Sequence, residues 1–290
     1  MLKLRSAGLN IALDLLHRDF FRERFEEFCR DFDGRPDFCC VSHLVKEIPV
    51  PEGSAVKTSP TRTVFYSPGL VTVLGCDKSG GRVFAWSLTD DASEMHLYFL
   101  EDHTYRLLTR TGMEYGHSFL GFADRLVLAG MLALHGAAIS YKGRGIIFCA
   151  RPGVGKSTQA ALWKDLWPEE TVRINEDRPV LSFEDGGATL RGIPWSGSVP
   201  INLNTSVPFG ALVLIRRGTA PGIERLKPAG VFRPIYRELC VSHVNRQAAE
   251  KVYDLLGLLL ERTPVYMLDC TMDIQTPLLL REALAKDGII

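Results

Sequence analysis

The stretch Ala150-Arg151-Pro152-Gly153-Val154-Gly155-Lys156-Ser157 decides how the rest of this chain is read. An apolar run, Ile146 to Ala150, leads into it, and a helix-type segment, Ser157 to Leu166, leads out and is stopped by Pro168. A glycine loop between a strand and a helix that opens on Lys-Ser is a Walker A pattern, here with Ala in place of the usual first Gly. The chemistry needs this arrangement because loop and helix-start N–H groups can surround phosphate oxygens. Lys156 would neutralise the β- and γ-phosphates, and the Ser157 hydroxyl would ligate Mg²⁺. Ala150 suits the loop as long as its φ is negative.

Working outward, Ile174-Asn175-Glu176-Asp177-Arg178 places two adjacent carboxylates after a β-type segment. A strand end beside a phosphate loop can set one carboxylate on Mg²⁺ and the other near an acceptor hydroxyl. Adjacent carboxylates repel, so a cation is expected close by to hold both ionised. His135-Gly136 sits at a helix-to-strand junction before the loop strand, where the imidazole can reach a carboxylate or simply end a helix. Gly192-Ile193-Pro194-Trp195-Ser196-Gly197 reads equally as a substrate loop and as a packed turn anchored by Trp195.

The flanking chain supplies the organisation. Leu2 to Leu16 reads as a strand running into a helix. Phe21, Phe25, Phe28 and Phe32 then fall at helical spacing, a core-facing stripe stopped by Gly34 and Pro36. Short β-type runs follow at Val64-Phe65-Tyr66, Val71 to Leu74, Val83 to Trp86 and His96 to Leu100. Turn signals separate them, which predicts an antiparallel meander. Leu120, Val127, Met131 and Leu134 predict a helix from about Ser118 to His135. Beyond it strands alternate with helices, including one through Ala248, Val252, Leu255 and Leu259, so the class is α/β.

The 290 residues carry 34 Lys+Arg against 34 Asp+Glu, and 46% are hydrophobic. That excludes disorder, allows one large domain or two modest ones, and gives no global field for nucleic acid or anionic lipid. The seven cysteines include no CxxC pair, which argues against a metal site and for a reducing compartment. With no apolar h-region at the N-terminus and no run near the length of a membrane span, the expected location is the cytoplasm.

In order, Leu134-His135-Gly136-Ala137-Ala138, Pro152 to Thr158, Ile174 to Pro179 and Gly192 to Gly197 resemble the HPr kinase/phosphorylase-like proteins. The catalytic core of those proteins is related to ATP-dependent phosphoenolpyruvate carboxykinase. The match covers roughly residues 118 to 280, and the Pro-Trp-Ser-Gly segment points to the short branch, some of whose members phosphorylate peptide precursors. The resemblance implies a nucleotide-binding core of that type over 118–290, preceded by a smaller α+β region, mostly meander, over 1–117. It implies that Gly153, Val154, Gly155, Lys156, Ser157 and Thr158 hold the nucleotide phosphates and that Ser157 and Asp177 serve Mg²⁺. The acidic pair, Glu176 and Asp177, supplies the base, without the resemblance deciding which member. His135 matches the family's His before the loop. This chain departs from the family pattern in having Glu176-Asp177 for Asp-Asp and Ala150-Arg151 in the loop. It also shows no evident regulatory domain or HPr-anchoring motif.

The reading is therefore a kinase: phosphoryl transfer from Mg-ATP, or another nucleotide, to a hydroxyl on a protein, peptide or small molecule. Arg178 or Arg151 would add positive charge. An alternative is a nucleoside di- or triphosphate hydrolase that uses water on the same site. A third class is a non-catalytic nucleotide-binding module, against which Lys156, Ser157 and Asp177 count. Ring-forming relatives make a homo-oligomer a further expectation, with neither nucleic acid nor membrane as partner.

Overall fold

A computed structural model describes residues 1–105, 109–184, 186–271 and 274–290. The chain divides into two units, Met1–Ala129 with Val241–Lys251, and Gly130–Cys240 with Val252–Ile290.

The first unit contains β1 (Leu2–Ser6), β2 (Leu9–Asp14), α1 (Arg18–Arg24), β3 (Phe38–Val45), β4 (Ser54–Ser59), β5 (Arg62–Ser67), β6 (Leu70–Cys76), β7 (Arg82–Thr89), β8 (Glu94–Leu100) and α2 (Arg110–Leu128). Its eight strands form one sheet in the order β1-β2-β3-β8-β7-β6-β5-β4. β4 to β8 pair antiparallel in succession, a meander, whereas β3 lies parallel to both β2 and β8. Leu2–Asp14 is a hairpin rather than a strand entering a helix. Ala7 and Gly8 both take positive φ, 52° and 79°, the conformation that lets a two-residue turn match strand twist. The Phe stripe faces inward, since Phe21, Phe25, Phe28 and Phe32 are all buried. α1 carries Phe21 and ends at its C-cap, Phe25, a 3₁₀ turn, Glu26–Phe28, carries Phe28, and Phe32 follows in irregular chain.

α2 also differs from expectation. It begins at Arg110, capped by the Thr109 side chain, which accepts from the Gly112 N–H, and it ends at Leu128. Gly130 then turns the chain with φ 83°, and Met131 opens a strand. Met131 and Leu134 continue the helical spacing by coincidence, and the glycine decides the boundary. The 117/118 division expected from the sequence falls within α2.

The second unit contains β9 (Met131–Ala133), β10 (Gly136–Tyr141), β11 (Arg144–Cys149), α3 (Lys156–Leu166), β12 (Thr171–Asn175), β13 (Val180–Glu184), β14 (Gly187–Arg191), β15 (Ser206–Arg217), β16 (Gly222–Leu226), α4 (Pro228–Tyr236), α5 (Arg246–Arg262), whose first turns belong to the other unit, β17 (Val265–Cys270) and α6 (Gln275–Lys286). The molecule is thus mixed α/β. The sheet runs β12-β10-β11-β15-β14-β13-β9, with β17 pairing β15 and β16 pairing β17. β11, β15 and β17 are parallel neighbours. β10 is antiparallel to both β11 and β12, so β12 shares the direction of β11. Register therefore gathers one sheet end. It collects the chain leaving β11 into the glycine loop, the chain leaving β12 at Asn175, and the ends of β15 and β17. His135 enters β10 there, with Gly136 opposite Cys149. Ligand sites of open α/β sheets form at the carboxyl ends of parallel strands for this reason.

Behind that end, Ile139, Phe148, Val213 and Leu268 of four strands pack on Trp163 of α3 and Leu280 of α6. Trp163 is fully buried, so its truncation would cost roughly 3–5 kcal/mol. Among the described residues no helix is long and apolar enough to cross a membrane. All seven cysteines are free thiols.

Candidate functional site

The glycine loop leaves β11 at Cys149 and ends where Gly155 caps α3. Gly153 and Gly155 take φ of 76° and 127°, values that favour glycine, and a Cβ at either would meet only open space. The glycines are therefore there for backbone shape rather than for room. Ala150 is not among the residues with positive φ, so the Ala-for-Gly departure introduces no strain. Lys156 is 8% exposed, and its Nζ donates to the carbonyl oxygen of Ala150 at 2.9 Å, across the loop. Arg217, from the end of β15, donates to the Gly153 carbonyl at 2.6 Å and braces the loop from outside. At the start of α3 Ser157 is exposed and Thr158 is half-buried. The first-turn N–H groups there have no partners within the helix.

The acidic turn is organised by one side chain. Asn175, fully buried at the end of β12, accepts from the N–H groups of Asp177 (3.0 Å) and Arg178 (2.6 Å). Its amide donates to the carbonyls of Ile193 (3.1 Å) and Trp195 (3.0 Å). The 193–197 segment is thereby fixed beside the turn, with Trp195 fully buried as its anchor. Gly197 ends the segment against Asp177, where an added Cβ would lie 3.3 Å from the Asp177 Cβ.

The two carboxylates separate in role. Glu176 is 5% exposed, and its Oε1 accepts both Nε (2.7 Å) and a terminal guanidinium nitrogen (2.6 Å) of Arg173. Its Oε2 is buried with no hydrogen-bond partner. Asp177 is more open, with a side chain 24% exposed. One oxygen lies 3.3 Å from His135 Nε2, and the other accepts from Arg178 Nε at 3.1 Å. Burial pushes the Asp177 carboxyl up, but the His135 hydrogen bond and the Arg178 charge outweigh it and hold its pKa below the usual value. The cation required beside the acidic pair is thus supplied separately to each member.

His135 sits between two acids. Its Nδ1 lies 3.3 Å from a carboxylate oxygen of Glu238, and its backbone N–H donates to the Glu238 carbonyl at 2.6 Å. The hydrogen bonds to Asp177 and to Glu238 raise its pKa to about 9, while burial and the nearby charge of Lys156 pull it down. At neutral pH the ring is an imidazolium that donates from both nitrogens. The effect of Lys156 on this ring also puts the loop lysine within electrostatic reach of the His135–Asp177 pair.

Glu238 was not legible in the sequence. It follows α4, far along the chain from His135, and belongs to no motif. The backbone brings it in, because Leu239 bridges Leu134 and the Cys240 N–H donates to the Ala133 carbonyl. Arg217 and Asn175 were missed as well, Arg217 for lack of any motif. The Asn175 role was hidden inside a motif read only for its acids.

Among the described residues no group of three or more His, Cys, Asp or Glu could hold a metal unaided. The donors present are of another kind: one part-exposed carboxylate, Asp177, whose oxygens each keep a lone pair, and the hydroxyl of one exposed residue, Ser157. That set fits Mg²⁺, which keeps most of its waters and takes one or two protein oxygens together with substrate phosphates.

No family model matches the chain, and no curated protein matches it. The structure of the HPr(Ser) kinase/phosphatase from Coxiella burnetii is similar to it over 54% of this chain and 89% of that one, with 11% identity and a TM-score of 0.33.

Proposed function

We propose that the chain transfers a phosphoryl group from a Mg²⁺-bound nucleotide to a hydroxyl, with Asp177 as the base. The observation that carries this reading is the Asp177 carboxylate. It is part-exposed and ionised, it is fixed by His135 and Arg178, and it sits at the sheet end where the glycine loop opens. The backbone N–H groups of Gly153 to Thr158 bind the phosphates, and Lys156 exchanges its bond to Ala150 for phosphate oxygens. Ser157 and Asp177 would hold Mg²⁺, which supplies charge neutralisation across the phosphates. Asp177 orients the acceptor hydroxyl and takes its proton as the new bond forms. Its depressed pKa makes it a weak base, so orientation and charge stabilisation carry most of the rate. Glu176, held by Arg173 and buried, positions the turn.

A second reading is nucleotide hydrolysis. It is favoured by the exposure of Asp177, which admits water to the same carboxylate. One experiment tests both. The pure protein is incubated with Mg²⁺ and each of ATP, ADP, GTP and their deoxy forms, with and without hydroxyl-bearing peptides and small alcohols, and the products are resolved. Phosphorylated acceptor lost in Asp177→Asn supports transfer. Acceptor-free turnover lost in the same variant supports hydrolysis. Nucleotide products equal in the wild type and Asp177→Asn overturn the site.

A further inference from the structure

α4 displays an aromatic surface that the phosphotransfer reading does not use. Phe232 and Tyr236 of α4 lie against Tyr253 of α5, and the three rings are close to parallel. Phe232 and Tyr236 have centroids 6.2 Å apart at 8°, Phe232 and Tyr253 6.4 Å at 5°, and Tyr236 and Tyr253 5.6 Å at 10°. Phe232 is 40% and Tyr253 50% exposed. Single exposed aromatics are ordinary, but three parallel rings side by side make an apolar patch against which a planar or cyclic side chain can pack.

The charge around it is one-sided. From Lys227 to Arg237 the chain carries Lys227, Arg233 and Arg237 and no carboxylate, and all three cations are exposed. Among the described residues none of them forms an ion pair. The opposite rim, on α5, carries exposed Asp254 next to Tyr253. A second copy meeting the face with like rims opposed would set Arg233 and Arg237 against like charges, and the other two-fold arrangement would appear as a dimer in the test below. A nucleic-acid backbone would meet Asp254, on a chain whose formal net charge is zero. A short acidic peptide need not cover that rim, since it can set its carboxylates on Arg233 and Arg237 and leave Asp254 in solvent. The location also has a consequence, since α4 runs directly into Glu238, which holds His135 at Asp177.

We infer that this face docks an acidic peptide segment of the phosphoryl acceptor. A proline or aromatic side chain lies on the Phe232–Tyr236–Tyr253 rings, and carboxylates meet Arg233 and Arg237. The identity of the segment as part of the acceptor rests on the phosphotransfer reading; the docking itself needs no nucleotide.

The test uses the full chain and fluorescence anisotropy of a labelled peptide, Asp-Glu-Trp-Pro-Ser-Asp-Glu. The comparators are the same peptide with lysines for its acids, and oligouridylate. The acidic peptide should bind at least about tenfold tighter than the lysine version. Arg233→Glu with Arg237→Glu should invert that order, a result no misfolded variant can give. Phe232→Ser with Tyr253→Ser should weaken both peptides. Equal binding of the two peptides overturns the proposal, as does stronger binding of oligouridylate. So does a concentration-dependent dimer, seen by sedimentation, that Phe232→Ser abolishes. Lys156→Ala should bind the acidic peptide as the wild type does. In the wild type, docking without any nucleotide turnover would remove the phosphotransfer reading and leave the docking, and turnover without docking would do the reverse.

Discussion

Glu114 in the first unit and Asp177 in the second are both carboxylates on which several donors converge. Glu114 has no exposed surface. It accepts from the backbone N–H groups of Leu16 (2.7 Å) and His17 (3.2 Å), and its Oε2 lies 2.5 Å from His17 Nδ1. It ties the end of a strand to the interior of α2, with its capacity spent on two otherwise orphaned backbone donors. Asp177 is held by side chains, His135 and Arg178, and keeps a quarter of its surface open. A fully buried carboxylate that takes up backbone donors fixes a fold. One oriented by side-chain cations at a strand end keeps open surface, and that is what the proposed role of Asp177 requires. The distinction lies in which donors are used and what surface is left, since both groups sit in charged company.

The largest effect that would sharpen this contrast is kinetic. Asp177→Asn should lower phosphoryl transfer or nucleotide turnover by about 10²–10⁴-fold with the melting temperature nearly unchanged. A variant retaining most of the wild-type rate would remove Asp177 from the chemistry. Lys156→Ala should cost a comparable factor and weaken nucleotide binding as well, measured by calorimetry.

Glu114→Ala should do the reverse. It should destabilise the protein by about 3 kcal/mol in urea unfolding, because buried donors lose their acceptor, and leave turnover below the transition unchanged. If turnover fell while stability held, the two carboxylates would not differ as argued.

Glu238→Gln should lower kcat by about tenfold at unchanged nucleotide KM, since the amide can still accept from His135 but no longer favours its charged form. Glu238→Asp should recover part of the loss. An effect confined to KM would make Glu238 a binding rather than a positioning residue.

The smallest effect is on pH dependence. The folded pKa of His135 is raised to about 9. Its contribution to stability is therefore fully present below an unfolded pKa of about 6.5 and is lost as pH rises through about 9. His135→Gln should flatten stability against pH across that window, and an unchanged slope would mean that the Asp177 and Glu238 contacts do not persist in solution.

Sequence reasoning saw the parts whose chemistry is local. The strand–loop–helix at 146–166 was legible because the loop shape needs glycines at Gly153 and Gly155, between an apolar strand and a helix that opens at Lys156. The Phe stripe was legible as core, but its helix was overextended, because Phe28 and Phe32 are buried from a 3₁₀ turn and an irregular segment that happen to keep the spacing. α2 was misplaced at both ends. Gly112, Gly116 and Gly121 depress its propensity, while Met131 mimics its period beyond Gly130. At Gly121 a Cβ would collide with Met95 Sδ, at 2.5 Å, so that glycine answers to packing with a distant strand, which no local window contains. Glu238 was invisible for the same reason, as its partner is chosen by a β-bridge between segments far apart in the chain.

Asn175 spends its whole hydrogen-bonding capacity, with both amide hydrogens donated and its oxygen accepting twice. No other side chain can repeat this. Aspartate has the oxygens but would set a negative charge against two carbonyls, and glutamine carries the amide one methylene too far. In terms of mutational tolerance, the neighbours of Asn175 can drift as long as volume or charge is kept. Asn175 itself has no substitute one step away, so a lineage that loses it loses the geometry of the acidic turn and of the 193–197 segment together.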